Sequence, residues 1–346
     1  MSTQPPSSHP ADVVPADDFA AASNNLRQRA CLIMNPASGD PGVDNQAQFA
    51  PIWAALREAG IWAEAVETKA GESPAILARR AADSGYGLVI AAGGDGTASE
   101  VAKGLVNTET PLGILPLGTY NNMARNLGLP LELTAACQAL ARGRIRRIDV
   151  GLANDEHFFF EAAGVGLDVP LFPLGEEIKS GRWWTLRPIW RAAELLLRFQ
   201  PVRVNFDFDR PVAWAYDRSL HSHAPERRQS RYFGNQRRDF YLRAFLVVIA
   251  NGTHYGSAFT ISPGAVLDDG LFHVSVFRRF SKRELIRHFL SIYQGRRHYS
   301  PKIDTFRVAE MRLTSRVPLP FHVDGRLAGK LPLQVKILHR ALKVIA

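Results

Sequence analysis

The segment Leu88-Val-Ile-Ala-Ala92, followed by Gly93-Gly-Asp-Gly-Thr97, decides the fold of this chain. A continuous apolar run is typical of a strand buried on both faces of a sheet, and the glycines after it let the backbone approach a ligand closely. A helix predicted from Thr97 would direct its unpaired N–H groups at the same turn, which creates an anion site. Asp95 is unfavourable beside an anion unless it binds a cation or accepts a proton, so it is the strongest candidate catalytic residue. The plainer alternatives are a tight turn for Asp95 and a capping box formed by Thr97 and Glu100.

Two other segments repeat this order of strand, polar turn and helix. Cys31-Leu-Ile-Met34 runs into Asn35-Pro-Ala-Ser-Gly39, and Leu112-Gly-Ile-Leu115 runs into Pro116-Leu-Gly-Thr119. The repeat predicts an α/β N-terminal domain with a parallel sheet, whose ligand crevice lies beyond the carboxyl ends of the strands. After the third strand, residues 118–130 are predicted to begin a helix that is capped by Thr119.

From about Arg147 the pattern changes to short strands with few long helices, and it predicts a β-rich antiparallel sandwich-like C-terminal domain. The predicted strands are Ile148–Leu152, His157–Ala162, Val202–Phe208 and Ala244–Ala250. We divide the chain into a disordered tail (1–28), an α/β domain (29–148) and a β-rich domain (149–346) with an Arg-rich insertion at about 210–240.

The positive charge is concentrated in the second half of the chain. Residues 1–150 contain 12 Lys and Arg against 15 Asp and Glu, whereas residues 151–346 contain 30 against 18. This asymmetry indicates a polyanionic partner, either nucleic acid or an anionic membrane. No nucleic-acid-binding module is visible, so an anionic membrane surface is the favoured partner and no nucleic acid is expected. Whether the chain forms a homodimer is left open.

The location predicted from the sequence is cytoplasmic, with peripheral association to a membrane. No apolar run is long enough for a spanning helix, and the Pro- and Ser-rich start lacks the pattern of a signal peptide. The two cysteines are too few for a disulfide framework, which favours a reducing compartment.

Four motifs in this order resemble those of soluble diacylglycerol kinases and related lipid kinases, including the sphingosine kinase-like proteins. They are Asn35–Gly39, Gly93–Thr97, Leu115–Asn122 and Pro263–Leu271. The resemblance covers about residues 29–340 and implies an NAD kinase/diacylglycerol kinase-like N-terminal domain, with ATP and Mg²⁺ as cofactors and a lipid substrate. The nucleotide contacts that it implies are Asn35, Ser38, Thr68, Gly93, Gly94, Asp95, Gly96, Thr97, Ala98, Ser99, Thr119 and Asn121.

The last of the four motifs contains Asp268-Asp269-Gly270, which by itself is typical of a hairpin turn. In related bacterial lipid kinases this loop holds a structural Mg²⁺. The resemblance implies that the carboxylate of Asp269 and the carbonyl groups of Val266 and Leu271 are its ligands here, and oxygen ligands suit Mg²⁺.

The resemblance fails at one position near the C-terminus. Where the family has Asp-Gly-Glu, with the glutamate as the base for the lipid hydroxyl, this chain has Asp324-Gly-Arg326. Arg326 cannot accept a proton, so the base must be Asp324, Asp95 or His322, or none is present. The catalytic candidates are therefore Asp95, Asp324 and Arg326.

Three functions stay open on this evidence. The first is an ATP-dependent lipid kinase that phosphorylates diacylglycerol or a related lipid. The second is a catalytically weak lipid- or nucleotide-binding protein of the same fold, which the replacement at Arg326 suggests. The third is an NAD kinase, against which the basic second half and the Asp269 loop argue.

Overall fold

A computed structural model describes residues 29–34, 45–67, 72–179, 187–212, 237–256, 259–260, 262, 264–278, 280–293 and 303–346. The tail 1–28, Asn35, Ser38, Thr68 and most of the Arg-rich insertion lie outside these ranges. Within them, no helix is long and apolar enough to cross a bilayer. The first part of the chain forms β1 (Ala30–Met34), α1 (Asn45–Glu58), β2 (Ala63–Glu67), α2 (Pro74–Asp83), β3 (Leu88–Gly93), α3 (Asp95–Leu105), β4 (Leu112–Pro116), α4 (Asn122–Asn126) and α5 (Leu133–Arg142).

The strands of this part form a parallel array in the order β2-β1-β3-β4. Successive residues of β3 point to opposite faces, and each face is covered by helices. Val89 packs with Leu77 of α2 and Val101 of α3. On the other face, Ile90 packs with residues of α1 and α5. The prediction of a parallel sheet covered on both faces is confirmed.

The second part of the chain is mostly antiparallel. Its elements are β5 (Ile145–Ala153), β6 (His157–Phe159), β7 (Ala162–Gly166), α6 (Asp168–Lys179), α7 (Arg187–Arg198), β8 (Val202–Val212), β9 (Arg237–Ala244), β10 (Leu246–Ala250), β11 (His254–Tyr255), β12 (Phe259–Thr260), β13 (Phe272–Phe277), α8 (Lys282–Tyr293), β14 (Ile303–Val308), β15 (Glu310–Ser315), β16 (Pro320–Val323), β17 (Arg326–Lys330) and β18 (Leu333–Ile345).

Two sheets in this part pack face to face. One has the order β14-β13-β10-β7-β16-β17, and the other contains β18-β15-β8-β9 with β5 and β6 alongside β18. Phe206, Phe272 and Phe321 come from both sheets and share one core, so the predicted sandwich is confirmed. β18 also joins β4, where Val344 lies opposite Leu112, and this contact makes the first sheet continuous across both parts of the chain. β5 runs through the predicted boundary at residues 148 and 149, and the division into domains stays a prediction.

Several local predictions are wrong because tertiary contacts decide the turns. α3 begins at Asp95 after Gly94, not at Thr97, and no side chain caps it. Thr97 instead packs on Gly93, where an added Cβ would lie 2.6 Å from the Thr97 hydroxyl oxygen. The N-cap position of α4 is Asn121, in the left-handed region, and not Thr119, and the Asn121 side chain makes no capping bond to the helix.

Two predicted strands are each divided. The run His157–Ala162 contains all of β6 and the first residue of β7, and Ala244–Ala250 is interrupted between β9 and β10.

Candidate active site

The two glycine turns that follow β3 and β4 touch each other. An added Cβ on Gly118 would lie 2.4 Å from the Cα of Gly94, so only glycine fits there. Asn121 shapes the second turn: its side-chain oxygen accepts the Gly118 N–H at 2.9 Å, and its nitrogen donates to the Gly118 carbonyl at 2.7 Å. The predicted nucleotide residues 93–99, 119 and 121 are therefore brought to one end of the parallel sheet.

Asp95 is the first residue of α3 and faces the start of α4. Its Oδ1 accepts the Met123 N–H at 3.1 Å. Burial raises the pKa of the Asp95 carboxyl, while the backbone N–H groups of Asn121, Asn122 and Met123 and the charge of Arg125 oppose that rise. Asp95 is only partly buried, so it combines a fixed orientation with access to a ligand.

Asp324 is used in a different way. It occupies the turn between β16 and β17 with φ 44°, and its carboxylate accepts the N–H groups of Phe160 and Glu161 at 2.9 Å and that of Ala162 at 3.1 Å. Burial raises the pKa of the Asp324 carboxyl, and these three bonds oppose the rise. The carboxylate therefore anchors the backbone between β6 and β7.

Arg326 brings a cation to the first turn of α3. Its Nη1 lies 2.7 Å from Glu100 Oε1, which also contacts Lys103 Nζ at 2.8 Å. An added Cβ on Gly96 would lie 3.3 Å from Arg326 Nη2. Since the Arg326 side chain is 63% exposed, it reaches the glycine turn while keeping contact with solvent.

His322 is committed to two hydrogen bonds. Its Nδ1 accepts the Gly325 N–H at 3.3 Å, and its Nε2 lies 2.6 Å from the Tyr255 hydroxyl oxygen. Because Nδ1 accepts a backbone N–H, the neutral ring carries its proton on Nε2 and donates it to Tyr255. This tautomer has no free acceptor for the proton of a substrate.

Glu161 and Asn122 were missed by the sequence analysis. Glu161 is 6% exposed, and its Oε2 accepts the Asn122 side-chain N–H at 3.0 Å. Burial raises the pKa of Glu161 well above its ordinary value, and the charges of Asp324 and Asp95 add to the rise. One signal was visible in the sequence: a glutamate within the apolar run Phe158-Phe-Phe-Glu-Ala-Ala163 has to satisfy its carboxylate inside the protein.

The predicted Mg²⁺ loop lies over β5. Asp269 Oδ1 accepts the Leu271 N–H at 3.0 Å, and Asp269 Oδ2 is 4.0 Å from Arg307 Nη1. Buried Asp149 accepts the N–H groups of Gly270 and Arg340, both at 2.7 Å. Burial raises the pKa of Asp269, and the nearby charges of Asp149 and Asp268 contribute in the same direction.

The chemistry of this loop fits a hard cation. The side-chain oxygen atoms of Asn251 and Ser262 are buried without a hydrogen-bond partner, and Asp149 and Asp268 add negative charge near Asp269, opposite the cation of Arg307. Among the described residues, no cluster of three or more His, Cys, Asp or Glu side chains could ligate a metal. A site here would therefore combine one carboxylate with carbonyl oxygens, as predicted for Asp269, Val266 and Leu271.

Comparison with known proteins finds two families in this chain. Residues 29–153 match the diacylglycerol kinase catalytic domain, and residues 186–346 match the YegS C-terminal NAD kinase beta sandwich-like domain. Proteins named diacylglycerol kinase from Staphylococcus aureus strains RF122 and MRSA252 are each 26% identical over 326 residues, which is 93% of this chain and 93% of each relative.

Solved structures show the same fold. A crystal structure of a putative diacylglycerol kinase from Bacillus anthracis has a TM-score of 0.67 at 20% identity, covering 92% of this chain and 96% of that one. A second structure of a putative diacylglycerol kinase from the same organism has a TM-score of 0.68 at 20% identity with the same coverage.

Proposed function

This chain belongs to the family with the diacylglycerol kinase catalytic domain, and from that premise we propose that it is an ATP-dependent kinase that phosphorylates the hydroxyl group of a lipid. Diacylglycerol or a related lipid is the proposed acceptor. The observation that carries the proposal is the placement of Asp95 beside two glycine turns that contact each other.

The site can hold a triphosphate through its backbone. Residues 93–99 put the N–H groups of the first turn of α3 beside the glycine turn, where they would bind phosphate oxygens. Asn35, Ser38, Thr68, Thr119 and Asn121 are the other proposed nucleotide contacts. Magnesium supplies charge neutralisation to such a reaction, and Asp269 with the carbonyls of Val266 and Leu271 would hold a structural ion.

Asp95 is the proposed proton acceptor or metal-orienting carboxylate. The carboxylate oxygens of Asp324 accept hydrogen bonds from three backbone N–H groups, and His322 donates from Nε2, so neither is the proposed proton acceptor. Arg326 stays charged, so it acts on phosphate oxygens and not on the hydroxyl proton. Since phosphoryl transfer depends mainly on positioning and charge stabilisation, a cation at Arg326 suits the reaction.

An anionic membrane is the proposed location of the substrate, with the protein cytoplasmic and peripherally attached. On α7, Trp190 is 71% exposed and Leu197 is 55% exposed, and the exposed Arg187 and Arg191 lie on the same helix. Apolar and basic side chains on one exposed helix are typical of binding to the surface of an anionic bilayer.

The second candidate function is a lipid- or nucleotide-binding protein with little turnover. It is favoured by the contact between Arg326 and Glu100, because the position where the family has its base is filled by a cation that is already paired. The third candidate, an NAD kinase, differs from the others because it would transfer phosphate to NAD.

A transfer assay with radiolabelled ATP distinguishes these functions. We expect label in a lipid when diacylglycerol, sphingoid bases, ceramide and phosphatidylglycerol are offered, and none in NAD. Labelled NAD without labelled lipid would contradict the proposal. Nucleotide binding without any transfer would favour the binding protein.

A further inference from the structure

Asn122 connects Asp95 to Glu161. The N–H of Met123, the next residue of α4, donates to Asp95 Oδ1 at 3.1 Å, and Asn122 Nδ2 donates to Glu161 Oε2 at 3.0 Å and to the Gly256 carbonyl at 2.6 Å. Asn122 is 2% exposed, so these bonds fix it within the protein. Any movement of the Glu161 side chain is therefore transmitted to the group that holds Asp95.

The groups that face Glu161 come from four elements. Asp95 approaches from α3 and Asp324 from the turn between β16 and β17, and both act on Glu161 through their charge. Asn122 of α4 donates a hydrogen bond to it at 3.0 Å, and the backbone N–H of Gly256, after β11, favours its ionised form.

The other charged and titratable groups near this site act on residues other than Glu161. Lys103 acts on Asp324, Arg125 acts on Asp95, and His322 is bonded to Tyr255. The largest charge effects on the Glu161 carboxyl come from Asp324 and Asp95, and both oppose its ionisation. A buried carboxyl that faces two carboxylates holds a proton instead of a second charge.

We propose that Glu161 is a positioning residue of the phosphoryl-transfer site, which orients Asn122 and carries a proton so that Asp95 is the ionised carboxylate of the pair. The inference rests on the proposed function and adds a residue to it. Asp95 can orient a metal ion or accept a proton only when it is ionised, and a charge on Glu161 would oppose that ionisation.

The pH dependence of stability tests the proton without any reference to activity. The pKa of Glu161 is raised above the ordinary value of 4.5, so folded protein keeps a proton that unfolded protein loses as the pH rises above that value. Stability is therefore lost as the pH rises towards the folded-state pKa. The raised pKa values of Asp95 and Asp324 act in the same direction. We expect Glu161→Gln to reduce this slope, with part of it retained.

Kinetics test the positioning role. Glu161→Gln imitates the protonated carboxyl, so we expect its kcat near pH 6 to lie within about threefold of wild type. At alkaline pH, the kcat/KM of Glu161→Gln should fall less than that of wild type. Glu161→Ala leaves Asn122 unsupported, and we expect kcat to fall by about 10²-fold with the KM for ATP little changed. Glu156→Gln, in the exposed turn before β6, is the matched control that should match wild type.

Each failure is separately recognisable. If the stability of Glu161→Gln depends on pH as steeply as that of wild type, Glu161 does not carry the proposed proton. If Glu161→Ala keeps the wild-type kcat, Glu161 does not position the site. If Glu161→Ala does not fold, Glu161→Asp, which is too short to keep the bond to Asn122, replaces it with the same expected loss. If wild-type protein transfers phosphate to no acceptor, the proposed function fails, and the stability slopes still decide whether Glu161 carries the proton.

Discussion

Asp95, after the glycine turn that ends β3, and Asp324, in the turn between β16 and β17, both act on Glu161 through their charge, but their carboxylates have different partners. Asp95 accepts the N–H of Met123 at the start of α4 and is only partly buried. Asp324 spends its carboxylate on three N–H groups that join β6 to β7. The difference shows that a carboxylate near a reaction site is available for chemistry only when the backbone does not occupy its oxygens.

The largest effect on folding is expected at Asp324. Asp324→Ala removes the acceptor of three backbone N–H groups, and each donor left unsatisfied costs about 1–3 kcal/mol, so we expect a loss of at least about 3 kcal/mol in the free energy of unfolding. Chemical denaturation measures this loss. Asp324→Asn keeps one acceptor oxygen and should lose less, and the exposed Asp83→Ala is the control. A folded Asp324→Ala protein of wild-type stability would remove the contrast between the two aspartates.

At Asp95 the expected effect is on activity and not on folding. Asp95→Asn keeps the shape of the side chain but removes its charge, so we expect at least about 10²-fold lower turnover at unchanged unfolding temperature. Steady-state kinetics beside a thermal melt check both parts, with Asp83→Asn as the control. Near-normal turnover in a folded Asp95→Asn protein would reduce Asp95 to a turn residue.

Arg326 tests what the turn between β16 and β17 contributes. If it binds phosphate oxygens, Arg326→Glu puts a negative charge beside the triphosphate and beside Glu100, and we expect turnover at saturating ATP to fall by about tenfold. If the chain is instead a kinase whose base was lost, the new carboxylate should raise turnover by some part of about 10²- to 10⁴-fold. Arg326→Met, which removes the charge without reversing it, should fall less. An increase above wild type would contradict the phosphate contact.

Local pattern was enough to predict most of the strands in the first half of the chain. The predicted strands Cys31–Met34, Leu88–Ala92 and Leu112–Leu115 match β1, β3 and β4 to within a residue at each end. Such strands are recognisable because burial on both faces makes them continuously apolar.

What the sequence could not show depends on residues far apart along the chain. Thr97 and Thr119 have the residue type of a helix cap, but contact between the two glycine turns places Gly94 and Asn121 at those caps instead. The bond between Asn122 and Glu161 joins residues that are 39 positions apart. No local pattern predicts such a pair, because the bond forms only when α4 meets the segment between β6 and β7 in the folded protein.

The smallest expected effect is on vesicle binding by the surface of the second half of the chain, and residues of the first half serve as the comparison. Trp190 on α7 and Trp62, in the loop before β2, are both 71% exposed, and Trp190 lies on a helix that also carries the exposed Arg187 and Arg191. A basic residue near an anionic bilayer contributes about 1 kcal/mol, so Arg191→Gln should weaken vesicle binding severalfold, and Trp190→Ala should do so by a similar factor. Trp62→Ala and Arg57→Gln are the matched controls from the other half and should bind as wild type does.

Sedimentation with phosphatidylglycerol vesicles measures the binding, which should weaken as salt is raised because surface charge is screened. Equal binding to neutral phosphatidylcholine vesicles, or equal losses in the Trp62 and Trp190 variants, would show that the basic helix does not provide the membrane contact.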